Sequence, residues 1–433
     1  MKRRDFFVRS SLALGAVPLL GARAHLGASP QTRAFDPDDW DSVRDQFPLT
    51  RDRVHMATFL LASHPRPVAE AIARHREAFD RDPVAHWEEH FQTVEMEQRQ
   101  AAADYLETDP ALIALTDSTT MGLGLVYGTL RLGPGDEVLT TPHDHYSTIY
   151  SLRHRAQRDG IAVREVALYD DPSQASVDEI VSRMTRAVTN RTRAVAVTWV
   201  HSSTGVKLPI AEMRRALDGI NRDRDADERV LLCVDGVHGF GIEDVTVESL
   251  GADILMAGAH KWMFGPRGTG VIYASAEAWD RLAPVIPSFS PEVGVWLGVV
   301  PPEAVTPGDR FTPGGFHSFE HRWALGEAFR FHHSIGKDRI AARIHHLNTL
   351  AKDGLAEIPG LHMHTPRSPA RSAGIIAFEM VGHTPDDIVA HLHERGITGS
   401  TSPYPVSYAR IAPGTLNTED EVMRTVATLA ELA

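Results

Sequence analysis

Two charged residues at the ends of apolar runs are the first candidates for chemistry in this 433-residue chain. Val230-Leu231-Leu232-Cys233-Val234 runs into Asp235. Ile254-Leu255-Met256-Ala257 leads through Gly258 and Ala259 to His260-Lys261. Short apolar runs bounded by glycine read as strands buried on both faces. Each run then delivers a charge to a strand end, which is where open α/β sheets bind ligands. A carboxylate and an amine are costly there unless they have partners. Lysine usage sharpens the point. The chain has five lysines (Lys2, Lys207, Lys261, Lys337 and Lys352) against 44 basic residues in all, so its ordinary cation is arginine. A desolvated lysine can give up its proton and act as nucleophile or base, which arginine cannot. The competing reading is a structural lysine that snorkels to the surface, although Trp262-Met263-Phe264 gives Lys261 an apolar setting.

The elements that must position these residues follow a βα alternation. Strands are expected over 111–115, 137–141, 163–168, 194–200, 230–234, 254–257 and 270–274, with helices between the earlier ones. This is an α/β pattern, a mainly parallel sheet covered by helices on both faces. Ser118-Thr119-Thr120 follows the first strand and opens a helix, where free N–H groups and hydroxyls suit an anion or simply cap the helix. His143-Asp144-His145 follows the second strand. It lacks further ligands at metal-motif spacing, so a ring contact or hydrogen bond is the better role for its histidines. His238 stands three residues after Asp235, and His201 follows the fourth strand. Gly265-Pro266-Arg267-Gly268-Thr269-Gly270 precedes a strand, which argues against a dinucleotide-binding loop.

Beyond Ser275, expected to cap a short helix, residues 284–313 read as a long Pro- and Gly-rich loop. Helices are expected over 319–335 and 339–355. From about Lys337 the pattern suggests a smaller α+β domain, with strands at 374–380 and 408–411 and helices at 386–395 and 418–432. The expected division is therefore an N-terminal arm at 25–60, a large domain at 61–336 and a small domain at 337–433.

The net charge of −13 argues against a nucleic-acid or anionic-membrane partner. Residues 1–24 read as an export signal. Arg3-Arg4 lie in a charged start, Ser10 to Leu20 is an apolar run too short to span a bilayer, and Ala22-Arg23-Ala24 is a cleavage pattern. The paired arginines resemble a twin-arginine signal, which implies the matching export machinery and a periplasmic address. Cys233, the one cysteine, lies inside a buried strand and is expected to be a small core residue.

Asp235-Gly236-Val237-His238 together with Ala259-His260-Lys261-Trp262-Met263-Phe264-Gly265-Pro266 resembles the class V aminotransferase family of pyridoxal-phosphate enzymes, which includes cysteine desulfurases and isopenicillin N epimerases. The resemblance runs from about Val54 to the C-terminus. It implies a type I aminotransferase fold, with a mainly parallel seven-stranded sheet in the large domain and a small C-terminal domain. It also implies pyridoxal 5'-phosphate (PLP) as cofactor and a homodimer. Lys261 would bond the cofactor aldehyde and serve as the catalytic base. Asp235 would pair with the ring nitrogen, His238 would lie near the ring hydroxyl and His145 would stack on the ring. Thr119 and Thr120, joined by His260, would hold the phosphate, and Arg410 would fork onto a substrate carboxylate. Gly258 and Gly315 stand where many relatives carry a phosphate-binding serine and threonine, which implies thinner phosphate binding, with Arg267 or His317 as possible replacements. Ser202 stands where many desulfurases have asparagine, and their mobile-loop cysteine has no counterpart. The expected reaction is transamination of an amino-acid-like or peptide substrate. Epimerisation and a lyase reaction are the alternatives, and a cofactor-less binding protein is the non-enzymatic one.

Overall fold

The apolar runs form strands whose side chains alternate strictly between two buried layers. In the computed structural model, which describes residues 34–433, Leu232 and Val234 face one core cluster, while Leu231 and Cys233 face the other. Burial on both faces explains why these strands read as continuous apolar runs rather than as alternating ones. Cys233 is fully buried, and burial pushes its thiol far up, so it is a core residue and inert.

The strands are β1 (Ile113–Thr116), β2 (Glu137–Thr140), β3 (Ala162–Glu165), β4 (Thr192–Thr198), β5 (Leu231–Asp235), β6 (Ile254–Gly258) and β7 (Gly270–Ala274). They form one seven-stranded sheet in the order β1-β7-β6-β5-β4-β2-β3. Only β7 runs antiparallel to its neighbours. This is the expected mainly parallel sheet, with helices α1 (Thr119–Thr129), α2 (Tyr146–Asp159), α3 (Val177–Ala187) and α4 (Ile210–Asn221) following the early strands.

The C-terminal part holds α5 (Leu325–Ile335), α6 (Lys337–Ala356), β8 (Leu361–Met363), β9 (Ile376–Met380), α7 (Pro385–Glu394), β10 (Ser400–Thr401), β11 (Ala409–Ile411) and α8 (Glu419–Ala430). Its strands make a second sheet, β10-β11-β9-β8, over its own apolar core. Residues Asp36–Ala433 nonetheless pack as one compact unit. The N-terminal stretch touches both parts, since the Ala62 N–H donates to the His260 carbonyl at 3.1 Å while residues before it bond to the C-terminal part. Val54–His55 pairs in parallel with Ile397–Thr398, and the Ala412 N–H donates to the Met56 carbonyl at 2.7 Å. The signal at 1–24 lies outside the described residues.

The stretch 284–313 departs from the expected loop, since it contains short helices at Ser290–Trp296 and Pro307–Phe311. Proline stands in the first turn of both, where its missing N–H costs nothing. Thr306 and Asp309 close a capping box on the second. The helix expected over 319–335 is broken at Trp323-Ala324.

Candidate active site

The C-terminal ends of β1, β2, β4, β5 and β6 converge on one cavity of about 220 Å³. Its walls bring together Thr119, Thr120, His145, Asp235, His238, His260, Lys261 and Arg410, every site residue expected from sequence. Asp235 ends β5 with 1% of its surface exposed, and its Oδ1 accepts the Val237 N–H at 3.1 Å. Burial pushes its carboxyl above the usual range, and the Val237 N–H and Lys261 pull it back. Burial lowers the Lys261 ammonium, with Asp235 opposing. The turn that presents Lys261 closes when the Phe264 N–H donates to the Lys261 carbonyl at 3.0 Å. Phe264 takes a left-handed φ of 54° there, a conformation held by its burial against Phe47.

His238 stands beside Lys261. Its Nε2 lies 3.2 Å from Lys261 Nζ, and its Nδ1 accepts the Trp262 indole N–H at 3.4 Å. Burial, with Lys261 next, keeps the ring neutral. Trp262 thus takes one ring nitrogen, and the other faces the Lys261 amine. His145 lines another wall, its Nδ1 2.7 Å from Ser147 Oγ, and burial lowers its pKa to about 4. The other residues of that motif do different work. His143 stacks on Tyr169 with ring centroids 4.1 Å apart. Asp144 accepts from the Thr140 and Thr141 hydroxyls and from the Thr198 N–H, which pins the end of β2 to β4.

At the start of α1, Ser118 Oγ accepts the Met121 N–H, and Ser118, Thr119 and Thr120 all line the cavity. The Gly258 N–H donates to Thr119 Oγ1 at 2.8 Å, leaving that hydroxyl proton for a ligand. A Cβ at position 258 would lie 3.0 Å from Thr119 Oγ1 and 3.0 Å from His260 Cε1. Thr119 thus fills the space a serine side chain would enter, and the glycine is fitted to this site rather than a gap in it. Gly258→Ser is therefore expected to weaken cofactor binding, by about 5–150-fold if the overpacking of about 1–3 kcal/mol falls on the bound state. Titration of the cofactor-free protein with PLP checks this, and tighter binding by the serine variant would refute it. Neither Arg267 nor His317 lines the cavity. Arg267 meets His64 at 3.2 Å and the Ala62 carbonyl, and His317 lies 3.7 Å from Glu95.

Arg410 enters from β11, opposite Ala377 of β9 and Ser400 of β10. It is 2% exposed, and its guanidinium donates to the Ser202 carbonyl at 2.6 Å, to Ser400 Oγ at 2.9 Å and to the Thr401 carbonyl at 2.9 Å. These acceptors are all uncharged. Nε has no acceptor, and no carboxylate among the described residues pairs with the group. A buried guanidinium with an uncompensated charge calls for an anionic ligand. Phe59 lies under it at 4.5 Å. Sequence reasoning placed Phe59 in an arm and missed it, along with Leu60 and Pro403 on the cavity wall. Nothing in their local pattern marks them, since only the fold brings them near Arg410.

The aminotransferase class-V family matches residues 62–416. The chain belongs to that family. An isopenicillin N epimerase of Streptomyces clavuligerus is 27% identical to it, over 89% of this chain and 96% of the relative. A cysteine desulfurase of Dickeya dadantii is 28% identical over 90% and 95%. Among solved structures, C-DES carrying glycine linked to its PLP cofactor superposes with a TM-score of 0.79 at 23% identity, over 90% of this chain and 99% of that one. The shared architecture is the type I PLP-enzyme fold, and the cofactor of this class-V chain is PLP. The side chains fit it. The cavity has a helix start with hydroxyls for a phosphate, a buried carboxylate for a ring nitrogen, an amine for an aldehyde, and a cationic surplus that an anionic cofactor would relieve.

Proposed function

We propose that this class-V enzyme moves a proton at the amine-bearing carbon of an amino-acid-like substrate, with transamination as the outcome. One observation carries the reading: among the described residues Lys261 is the only amine on the cavity wall, and it shares that wall with the Arg410 guanidinium, which pairs with no carboxylate. When bound, PLP supplies an electron sink for the charge left after proton loss. Arg410 would fix the substrate carboxylate and so orient the α-hydrogen. Lys261, its proton affinity lowered by burial, would take that hydrogen as base and return it. A single base on one side suits transfer between two carbons on that side, which is transamination. Epimerisation needs a second proton donor, and His145, neutral down to about pH 4, is poorly suited to be one.

Epimerisation stays as the second reading, because the isopenicillin N epimerase is matched over 96% of its length. Sulfur transfer through an internal persulfide is disfavoured by the buried Cys233. Mass spectrometry of the purified protein with a panel of amino acids and small peptides separates the branches. Transamination converts the cofactor to its amine form, and epimerisation exchanges the α-hydrogen for solvent deuterium without net conversion. Loss of a side-chain fragment would instead mark a lyase. A colourless protein that takes up no added PLP would leave only the binding-protein reading.

Replacing Arg410 with leucine is expected to raise KM for carboxylate substrates by about 10–100-fold, the range for losing a charged hydrogen bond, with cofactor absorbance intact. Loss of the cofactor band instead would mean that Arg410 serves the cofactor. We further propose that the chain is exported through the twin-arginine route to the periplasm and acts there as a homodimer. No helix among the described residues is long and apolar enough to cross a membrane. Cell fractionation and N-terminal sequencing test export, and an active cytoplasmic protein with an intact N-terminus would contradict it.

A further inference from the structure

The second sheet carries a cluster that the reaction does not use. His362 lies on β8 opposite Glu379 of β9, and His364 follows two residues on, so all three share one face of the strand pair. One ligand atom from each lies within 4.8 Å of the others. His364 is 8% exposed, yet its Nε2 has no hydrogen-bond partner, and it stops 3.6 Å from Glu379 Oε2. Imidazole and carboxylate thus stand at ion-pair distance, already near the spacing of two ligand atoms on one metal ion. The other side of the ring is fixed by Tyr408, whose ring centroid lies 3.8 Å away. His362 and Glu379 are exposed and can rotate inward. Closing to the roughly 3.3 Å between ligand atoms around a tetrahedral zinc is a small movement for such side chains.

We propose that His362, His364 and Glu379 form a surface site for a divalent transition metal of the zinc type. Two imidazoles and a carboxylate are the ligands zinc accepts, with water completing the tetrahedron. The Asp171 carboxylate stands close enough to both imidazoles for their charge to act on it, which adds negative potential beside the site. The bound metal would fix the His364 ring and with it Tyr408, the residue that leads into β11 and Arg410. A second histidine cluster, His86 with Glu89 and His90, is less suited. There His86 Nε2 already meets His75 Nδ1 at 3.2 Å, and His90 Nδ1 donates to the His86 carbonyl at 2.9 Å.

The test is titration of metal-stripped holoenzyme with Zn(II) alone, followed by calorimetry, with Co(II) as a spectroscopic substitute. One equivalent should bind per chain, giving a Co(II) spectrum of tetrahedral intensity. His362→Gln and Glu379→Gln, both at exposed positions, should weaken binding by more than the ~10–100-fold expected for losing an outer partner. His364→Ala should abolish it, and His86→Gln should leave it unchanged. The PLP absorbance of each variant reports that the fold is retained. Three results would overturn the proposal: no stoichiometric uptake by the wild type at micromolar zinc, wild-type affinity in the Glu379 and His362 variants, or loss of the metal in His86→Gln alone.

Discussion

Lys261→Ala is expected to lower turnover by at least about 10²–10⁴-fold, the contribution of a positioned general base. Among the described residues no other lysine lines the cavity, and the nearby histidines cannot replace it, because burial holds His145, His238 and His260 neutral and weakly basic. The variant should still fold, since Lys261 packs at the cavity wall while Trp262 and Phe264 beside it carry the apolar contacts. Bound cofactor should lose the absorbance of its covalent link to the protein. An added small primary amine should restore part of the rate. A titration supplies a second check. Burial lowers the Lys261 ammonium from its ordinary 10.5, so direct titration of that amine in the cofactor-free protein should find its midpoint below that value. Near wild-type turnover in the alanine variant would end the assignment of Lys261 as base.

What the sequence revealed and what it hid follow from how far apart the interacting groups lie along the chain. Asp235 and Lys261 were legible because each ends an apolar run, and a run of five or so apolar residues is enough to mark a doubly buried strand. Most of the seven strands were legible for the same reason, whereas the edge strand Ala162–Glu165 is half exposed and was marked only by its place in the βα alternation. Arg410 was harder: nothing around it signals a buried cation, and its role came from a family resemblance rather than from its own pattern. Its actual setting depends on Ser202 from the large sheet and Phe59 from the N-terminal stretch. The reading of Gly258 changed most. A missing serine looked like a lost phosphate contact, but the close approach of Thr119 and His260 is a three-dimensional fact that no spacing encodes. The short helices after Pro284 were obscured because proline, usually a breaker, here sits in the one helical turn that tolerates it.

The second large effect is expected at the other end of the cofactor. Asp235→Asn preserves the shape of the side chain and can keep the Val237 N–H bond, but it removes the charge that would hold a ring nitrogen protonated. Turnover should fall by about 10²–10³-fold, as when a preorganised electrostatic group is removed, with little change in KM because Arg410 still holds the substrate. Stability should move the other way. A carboxyl whose folded pKa is raised costs stability once the pH exceeds its unfolded value near 3.8, and the cost grows until the pH passes the folded value. The cofactor-free asparagine variant should therefore match or exceed the wild-type melting temperature at neutral pH, and the difference should fade as the pH falls toward 3.8. Loss of both activity and stability would point to a structural role for Asp235. Combining Asp235→Asn with Lys261→Ala gives the sharper test. If the two residues serve opposite ends of one cofactor in one step, the double variant should be little worse than the weaker single variant. Losses that multiply would mean that carboxylate and amine act independently, and the reading of one shared site would fail.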